Sequence, residues 1–184
     1  MARWQPDARG RLAHAALELY AERGYEQTTV AEIAQRAGLT ARTFFRHFAD
    51  KREVLFGGSE LLGERLVAAL DEAPALAAVA SALEVVAGLI GDDHDHSRRR
   101  QAVIAANTEL QERELAKLAG WSRMLADGLR RRGVEEPVAS LAAQAGVGVF
   151  VVAFARWVEG PPRQALVQVL EEAFGELRGV IAAR

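Results

Sequence analysis

A chain of 184 residues, 50% of them hydrophobic, is long enough to bury a sizeable core in one or two domains. It contains no cysteine, which excludes disulfide bonds and thiolate metal sites and favours the reducing cytoplasm as its location. The net charge of −2 hides an asymmetry, because residues 1–52 carry 9 Lys and Arg against 6 Asp and Glu. This basic first third predicts that one end of the protein meets a polyanion.

The sequence predicts an all-α fold of about nine helices. Alternating strand patterns are scarce, whereas the helix formers Ala, Leu, Glu and Arg dominate. We find no run of 18 apolar residues, and residues 1–10 are polar, so neither a membrane span nor a signal peptide is expected. The expected helices cover residues 7–23, 30–37, 41–48, 51–70, 75–90, 98–107, 112–132, 137–159 and 163–183.

The first three predicted helices are short and have clear boundaries. The first turns Leu12, Ala16, Leu19 and Tyr20 inwards and stops at Gly24. Thr29 and Glu32 have the spacing of a capping box at the start of the second helix, as do Asp50 and Glu53 before the fourth, and Thr40 can cap the third. Residues 38–40 form a Gly-containing turn between helices two and three, which predicts a helix-turn-helix.

The third predicted helix, residues 41–48, has two different faces. At 100° per residue, Ala41, Phe44 and Phe48 point towards a core. The opposite half carries Arg42, Thr43, Arg46 and His47, and Phe45 lies at the border. An α-helix of this kind fits the major groove of DNA, with the first-turn residues at the base edges. The alternative is that the basic residues form only a solvated face.

Residues 16–56, ALELYAERGYEQTTVAEIAQRAGLTARTFFRHFADKREVLF, resemble the N-terminal DNA-binding domain of the tetracycline-repressor (TetR) family of bacterial transcriptional regulators. The similarity is carried by Thr-x-x-x-Ile-Ala-x-x-Ala-Gly at 29–38 and Thr-Phe-Phe-x-His-Phe-x-x-Lys at 43–51. It implies a DNA-reading third helix, with Lys51 on the DNA backbone and Thr29 near a phosphate. The predicted DNA-binding residues are Thr29, Thr40, Ala41, Arg42, Thr43, Phe45, Arg46, His47 and Lys51. Phe45 departs from the family, in which Tyr is common.

The resemblance implies that residues 1–52 bind DNA and that residues 53–184 form a helical ligand-binding and dimerisation domain. Residues 98–133 are similar to a subgroup suspected of binding acyl-CoA-like ligands, so a hydrophobic or acyl-CoA-like effector is the predicted small-molecule partner. The candidate pocket residues are Asn107, Thr108, Trp121, Met124, Leu125, Phe150 and Phe154. The alternatives are that the apolar residues are plain core and that Asn107 and Thr108 cap helices.

A dimer interface is predicted on the last two helices, where small residues allow close helix approach. Its predicted residues are Gly146, Val149, Ala153, Leu166, Leu170, Phe174 and Leu177. Packing within one chain is the alternative explanation of the same pattern. The segment GVGVF around Gly146 is not a dinucleotide loop, because it lacks the third glycine and no strand precedes it.

Catalytic and metal-binding motifs are weak. Residues 92–96, DDHDH, contain potential metal ligands but have the character of a solvated turn, so we expect no metal and no cofactor. His14 is expected to be structural, and no nucleophile, base and acid form a recognisable set. The predicted function is a ligand-responsive repressor that acts as a homodimer on a palindromic DNA operator. The alternative is a similar helical protein that binds a small molecule, or an enzyme, that has lost DNA binding.

Overall fold

The computed structural model describes residues 7–91 and 93–183, and within them the fold is all-α, as predicted. The described residues form nine α-helices: α1 (Ala8–Arg23), α2 (Val30–Arg36), α3 (Ala41–His47), α4 (Ser59–Ala68), α5 (Ala75–Ile90), α6 (His94–Ala105), α7 (Thr108–Arg131), α8 (Glu136–Glu159) and α9 (Leu166–Ala182). The predicted limits of α5 agree with the structure at both ends.

The predicted helix over residues 51–70 was wrong, because the chain breaks in the middle of it. Residues Glu53–Phe56 form a single 3₁₀ turn, and α4 begins only at Ser59. Gly58 has a φ of 93°, a left-handed value that a continuous α-helix does not allow. The predicted capping box of Asp50 and Glu53 forms only in part. Asp50 accepts hydrogen bonds from the backbone N–H groups of Arg52 and Glu53, but the Glu53 carboxylate binds Arg113 and not the backbone of Asp50.

Helices α6 and α7 each begin four residues earlier than predicted. α6 starts at His94 because the Asp93 carboxylate accepts the backbone N–H of His96 at 2.9 Å, so most of the predicted turn at 92–96 is helical; Asp92 lies outside the described residues. α7 starts at Thr108, directly after Asn107, whose carbonyl accepts the backbone N–H of Gln111. Conversely, α9 begins three residues later than predicted, at Leu166.

The described chain divides into two compact units that do not follow chain order. The first comprises residues up to Gly58 together with Arg99–Glu114. Its core collects apolar side chains of α1, α2, α3 and the 3₁₀ turn, and it also includes Val103, Ile104 and Leu110 from the second segment. The predicted inward residues of α1, Leu12, Ala16, Leu19 and Tyr20, are all buried in this core. Residues 99–114 are therefore a structural part of the unit that holds the helix-turn-helix.

The second unit comprises Ser59–Arg98 and the residues from Leu115 onwards. Its core lies among α4, α5, α7, α8 and α9. Gly146 of α8 is buried against α5, and a Cβ atom built on it would lie 2.3 Å from the Cγ1 atom of Val79. The absence of a side chain at this position therefore sets the separation of α5 and α8. The predicted functional division at residue 52 remains a prediction.

Ser140 and Gln144 interrupt the apolar residues of α8, yet this helix is long and apolar enough to cross a membrane by length and composition. About 44% of its apolar window is buried inside the protein, against α5 and α9. The core helix of a water-soluble protein has the same composition, because it must cover its neighbours on several sides. Packing in the second unit therefore accounts for the apolar residues on the buried face of α8.

Candidate nucleic-acid interface

The helix-turn-helix is held by caps at the starts of both short helices. The Thr29 hydroxyl accepts the backbone N–H of Glu32 at 3.3 Å, and the Glu32 carboxylate accepts the backbone N–H of Thr29 at 2.9 Å, which confirms the predicted capping box. Thr40 caps α3 by accepting the backbone N–H of Thr43 at 3.2 Å. Gly38 makes the turn between α2 and α3 with a φ of 65°.

α3 presents one buried and one exposed face. Phe44 and Phe48 are buried in the core of the first unit, whereas Arg42 and Arg46 are exposed and Phe45 has 59% of its surface accessible. Thr43 and His47 lie at an intermediate depth on the same outer side. The outward half of this helix therefore offers two guanidinium groups, a hydroxyl, an imidazole and an aromatic ring to a partner.

Ala41 is the exception on this helix, because it is exposed although the helical pattern predicted it to face the core. It occupies the first position of α3, next to the cap residue Thr40, which is also exposed. Phe44 and Phe48, one and two turns further along, reach the core and Ala41 does not. Its small side chain therefore adds to the outer surface of the first turn.

Some basic residues of this unit are neutralised by ion pairs within the protein, and others remain available to bind a partner. Arg36 binds the Glu22 carboxylate through both terminal nitrogens, and this contact lowers the pKa of Glu22. Arg52 donates to Oδ2 of Asp50 from Nε and Nη2, and this hydrogen bonding lowers the pKa of that carboxyl group. Arg42 and Arg46 make no ion pair with any residue in the described part of the chain. The unneutralised charge of α3 is thus on its outer face.

Lys51, predicted to lie on the DNA backbone, is engaged inside the protein. Its ammonium group donates to the backbone carbonyls of Tyr25, Glu26 and Thr28 at 3.0, 3.4 and 3.5 Å. It also lies 4.1 Å from the centroid of the Tyr25 ring, a cation–π contact. Its contact with a phosphate therefore stays a prediction, and the structure gives Lys51 a second, internal role.

Residues 99–114 attach to this unit through contacts that sequence analysis missed. Arg113 binds the Glu53 carboxylate with two hydrogen bonds of 2.6 and 3.0 Å. Arg100 donates to the Leu55 carbonyl and pairs with Glu114, and both guanidinium groups lie about 5 Å from the centroid of the Phe56 ring. Partners 45 to 60 residues apart leave no periodic signal in the sequence, so local patterns did not reveal them.

The predicted pocket residues are divided between the two units. Asn107 and Thr108 belong to the first unit, and Asn107 caps α6 by donating its side-chain amide to the Val103 carbonyl at 2.7 Å. The capping alternative is therefore confirmed for Asn107, whereas Thr108 is the first residue of α7. A shallow depression of about 350 Å³ also lies in this unit, between α1 and α2, and is lined by ion-paired residues that include Glu18 and Arg36.

The other predicted pocket residues are in the second unit, where the rings form a continuous line. The ring centroids of Trp121 and Phe150 are 5.6 Å apart, those of Phe150 and Phe154 are 5.9 Å apart, and those of Phe154 and Trp157 are 5.7 Å apart. Leu125 is fully buried, and Met124 is partly buried beside Gly63. Trp121, Leu125, Phe150 and Trp157 belong to the core of the second unit, and Phe154 packs against that core.

Most residues predicted for the dimer interface are buried within their own chain. Intrachain burial applies to Gly146, Ala153, Leu166, Leu170 and Phe174, whereas Val149 and Leu177 are partly buried. The intrachain alternative accounts for the buried residues, because α5, α8 and α9 pack together. Other apolar residues of α8 are exposed, and five of them recur along one side of the helix: Val138, Leu141, Ala145, Gly148 and Val152, which we name the α8 stripe.

Potential metal ligands do not gather in the described residues. Within 7–91 and 93–183, no three side chains of His, Cys, Asp or Glu are arranged to hold a metal ion. His94 instead makes a hydrogen bond of 2.9 Å through Nε2 to the Trp157 carbonyl and stacks edge-on against the Trp157 ring. Asp93 is the cap of α6. Both side chains thus have structural roles.

Two protein families match this chain. Residues 12–56 match the family described as bacterial regulatory proteins, tetR family, and residues 73–182 match the MftR C-terminal domain. The regulator MftR of Mycobacterium tuberculosis is 29% identical over 180 residues, covering 94% of this chain and 88% of that protein. The transcriptional regulator TcmR of Streptomyces glaucescens is 42% identical over 88 residues, which span 46% of this chain and only 39% of TcmR.

The fold is also found in solved structures. A crystal structure of the transcriptional regulator FadR from Bacillus subtilis in complex with stearoyl-CoA aligns with a TM-score of 0.60. The alignment covers 89% of this chain and 94% of FadR, at 23% sequence identity. At this identity the similarity establishes a common fold for the two proteins.

Proposed function

This chain belongs to the TetR family of bacterial regulatory proteins, and we propose that it is a homodimeric repressor whose α3 reads a palindromic DNA operator. The observation that carries the proposal is the outer face of α3. Arg42 and Arg46 project from it without ion pairs among the described residues, while Phe44 and Phe48 on the opposite side fix the helix to the core. A rigid helix with free guanidinium groups has the shape and charge that the major groove accepts.

Within this proposal the residues of α3 have different tasks. Arg42 lies in the first turn and is long enough to make a bidentate contact with O6 and N7 of guanine. Phe45 supplies an apolar surface to a thymine methyl group or a sugar, because its exposed ring carries no hydroxyl. Thr43, which is also in the first turn, suits a base edge, whereas Thr40 and His47 have polar groups that suit phosphate oxygens. Thr29 lies near a phosphate in this proposal, as the family resemblance implies.

We place the dimer interface on the α8 stripe. Its residues recur at helical spacing on one side of α8, and Leu141 alone has 70% of its surface exposed. Soluble proteins rarely leave a continuous apolar helix face in water, and an isologous interface would cover the same face on both subunits. The open space around Gly148 would let the two helices approach closely.

We assign a hydrophobic acyl chain, carried on coenzyme A, as the effector, and we place it in the second unit. Support comes from the stearoyl-CoA found with FadR, which shares this fold, and from the line of rings between Trp121 and Trp157. Met124 adds a flexible side chain that can adapt its shape to a ligand. Thermal unfolding with stearoyl-CoA, lauroyl-CoA and free coenzyme A tests this assignment. Stabilisation by the acyl forms alone is the expected result.

The DNA-binding proposal is tested by selecting duplexes from a random pool with the purified protein. Fluorescence anisotropy then compares the selected duplex with a scrambled duplex of the same composition at fixed salt. We expect a preference of roughly 10³-fold or more for the selected sequence. Equal binding to both duplexes would contradict the proposal and favour a small-molecule-binding protein that has lost sequence-specific DNA recognition.

A further inference from the structure

We propose that Glu109, Tyr25 and Lys51 form a relay that positions the helix-turn-helix, so that the start of α7 controls DNA affinity without touching DNA. Tyr25 lies in the turn between α1 and α2, Lys51 follows α3, and Glu109 lies in the first turn of α7. All three belong to the first compact unit. The inference rests on the proposed function and assigns positioning residues to it.

Lys51 is the first link, because its ammonium group holds the backbone of the α1–α2 turn. An ammonium group has three N–H donors, and three backbone carbonyls, those of Tyr25, Glu26 and Thr28, lie within 3.5 Å of Nζ. The face of the Tyr25 ring covers the same charge at 4.1 Å. In this conformation the donors of Lys51 are occupied by the protein, so the side chain acts as a clamp on the turn.

Tyr25 is the second link and carries the clamp to α7. Only 2% of its surface is exposed, and its hydroxyl donates to the Glu109 carboxylate at 3.1 Å. Burial and then the hydrogen bond to Glu109 raise the pKa of this hydroxyl, so it remains a donor at neutral pH. Tyr20 supports the arrangement, since its ring meets that of Tyr25 edge-on and its hydroxyl donates to the Lys51 carbonyl at 2.6 Å.

The clamped turn leads directly into α2. Thr28 is 1% exposed and donates its hydroxyl to the Gly24 carbonyl at 2.8 Å, and the next residue, Thr29, is the cap of α2. α2 and α3 share the core of the first unit through Ile33, Ala34 and Phe44. Because packed helices move as rigid pieces, the position of the turn determines the direction in which the outer face of α3 points.

The other end of the relay is suited to regulation. Glu109 is the second residue of α7, a single helix of 24 residues from Thr108 to Arg131, and its carboxylate is the acceptor for Tyr25. A rotation or shift of α7 would lengthen a contact of 3.1 Å beyond hydrogen-bond range. The buried hydroxyl of Tyr25 would then lose its acceptor, and the turn would lose one of its supports.

The closing experiment measures affinity for the selected duplex over a range of salt concentrations, using Tyr25→Phe and Lys51→Met. A positioning role predicts weaker binding, by roughly threefold or more, with an unchanged slope of log K against log salt, because no phosphate contact is lost. A slope reduced by about 0.9 for each lost contact in Lys51→Met would identify a phosphate ligand instead and overturn the relay. Unchanged affinity in Tyr25→Phe would overturn it as well.

Four further variants distinguish the relay from a general loosening of the unit. Glu109→Ala should weaken DNA binding as much as Tyr25→Phe does. The double variant Tyr25→Phe with Glu109→Ala should bind no more weakly than either single variant, because both remove the same contact. Glu109→Gln keeps a hydrogen-bond acceptor and should bind DNA like the wild-type protein. Arg113→Met is the matched control, because it releases the same segment from Glu53 without reaching the turn. If Arg113→Met weakens DNA binding as much as Glu109→Ala does, the effect comes from loosening the segment and not from the relay.

A measurement without DNA keeps the inference independent of the proposed function. Hydrogen exchange of the backbone amides from Thr28 to Ile33 should accelerate in Tyr25→Phe and Lys51→Met, and those of α9 should not change. Unchanged exchange in the turn contradicts the relay even if the protein binds its operator. A wild-type protein that shows no sequence preference, but whose variants exchange faster, would refute the DNA-binding proposal and leave the clamp intact.

Discussion

Phe44 and Phe45 are adjacent in the chain, yet Phe44 is fully buried and Phe45 has 59% of its surface exposed. Their rings meet nearly at right angles with centroids 5.4 Å apart. Phe44 anchors α3 in the core, and the edge-on contact limits the directions that the Phe45 ring can take. The pair therefore fixes an aromatic side chain on the proposed DNA-binding face.

Phe45→Tyr should tighten operator binding. The substitution adds a hydroxyl to an exposed ring, and a new hydrogen bond to a phosphate would contribute about 1 kcal/mol per half-site. The free energy of unfolding should change by less than about 0.5 kcal/mol, because the added oxygen remains in water. Titration of the selected duplex at fixed salt measures the effect. Unchanged binding by a folded variant would place the Phe45 ring away from the DNA, and weaker binding would show that the ring lies against an apolar group and not against a phosphate.

Arg42→Ala should reduce discrimination between the selected and scrambled duplexes by about 1–3 kcal/mol, because a bidentate contact to a base is lost. Arg42→Lys is the matched control: it keeps the charge but cannot form the two-pronged contact. We expect Arg42→Lys to retain the affinity for scrambled DNA and to lose the preference for the selected sequence. If Arg42→Ala keeps the full preference, Arg42 does not read bases.

Leu141→Glu should convert the proposed dimer to monomers, because it places a charge within the α8 stripe. Sedimentation equilibrium measures the mass directly. Val85→Glu provides the control, since Val85 is an apolar residue of α5 with 48% of its surface exposed and is not part of the stripe. A Leu141→Glu protein that remains dimeric would move the interface to another surface.

Gly146→Ala should destabilise the protein by about 1–3 kcal/mol despite the better helix propensity of alanine, because the added methyl overpacks the α5–α8 contact. Its Cβ atom would lie 2.3 Å from the Val79 side chain. Gly88→Ala on α5 is the control, because no atom lies within 4 Å of its Cβ position. Chemical denaturation compares the two. Adding Val79→Ala to Gly146→Ala should recover part of the loss.

Glu84→Gln should stabilise the protein at pH 7 and have little effect below pH 4. Burial, and then the nearby Glu171 carboxylate, raise the pKa of Glu84 above its ordinary value of 4.5. A carboxyl group whose pKa is raised in the folded state favours folding when it is protonated. The folded protein therefore loses stability as the pH rises through that pKa. Glutamine does not ionise, so the variant does not lose this stability as the pH rises. Thermal unfolding between pH 4 and 7 measures it, with Glu64→Gln, at an exposed position of α4, as the control.

The sequence by itself determined the features that arise within one or two helical turns. The capping box of Thr29 and Glu32, the cap at Thr40 and the turn at Gly38 each depend on residues at most four positions apart, and the structure contains all of them. The separation of Phe44 and Phe48 from Arg42 and Arg46 follows from the helical period alone. These local signals were sufficient to predict the helix-turn-helix, whereas the family was predicted from the resemblance of residues 16–56 to its members.

Tertiary structure decided which chemically suitable residues remain free to act. No local rule pairs Tyr25 with Glu109, which is 84 positions away, or engages the Lys51 ammonium group with the carbonyls of a turn 26 residues earlier. The same applies to Gly146 and Leu166, whose pattern fits a subunit interface or a core equally well until packing buries them in their own chain. Helical periodicity determines the face on which a side chain lies, whereas the packing of distant segments determines what covers that face.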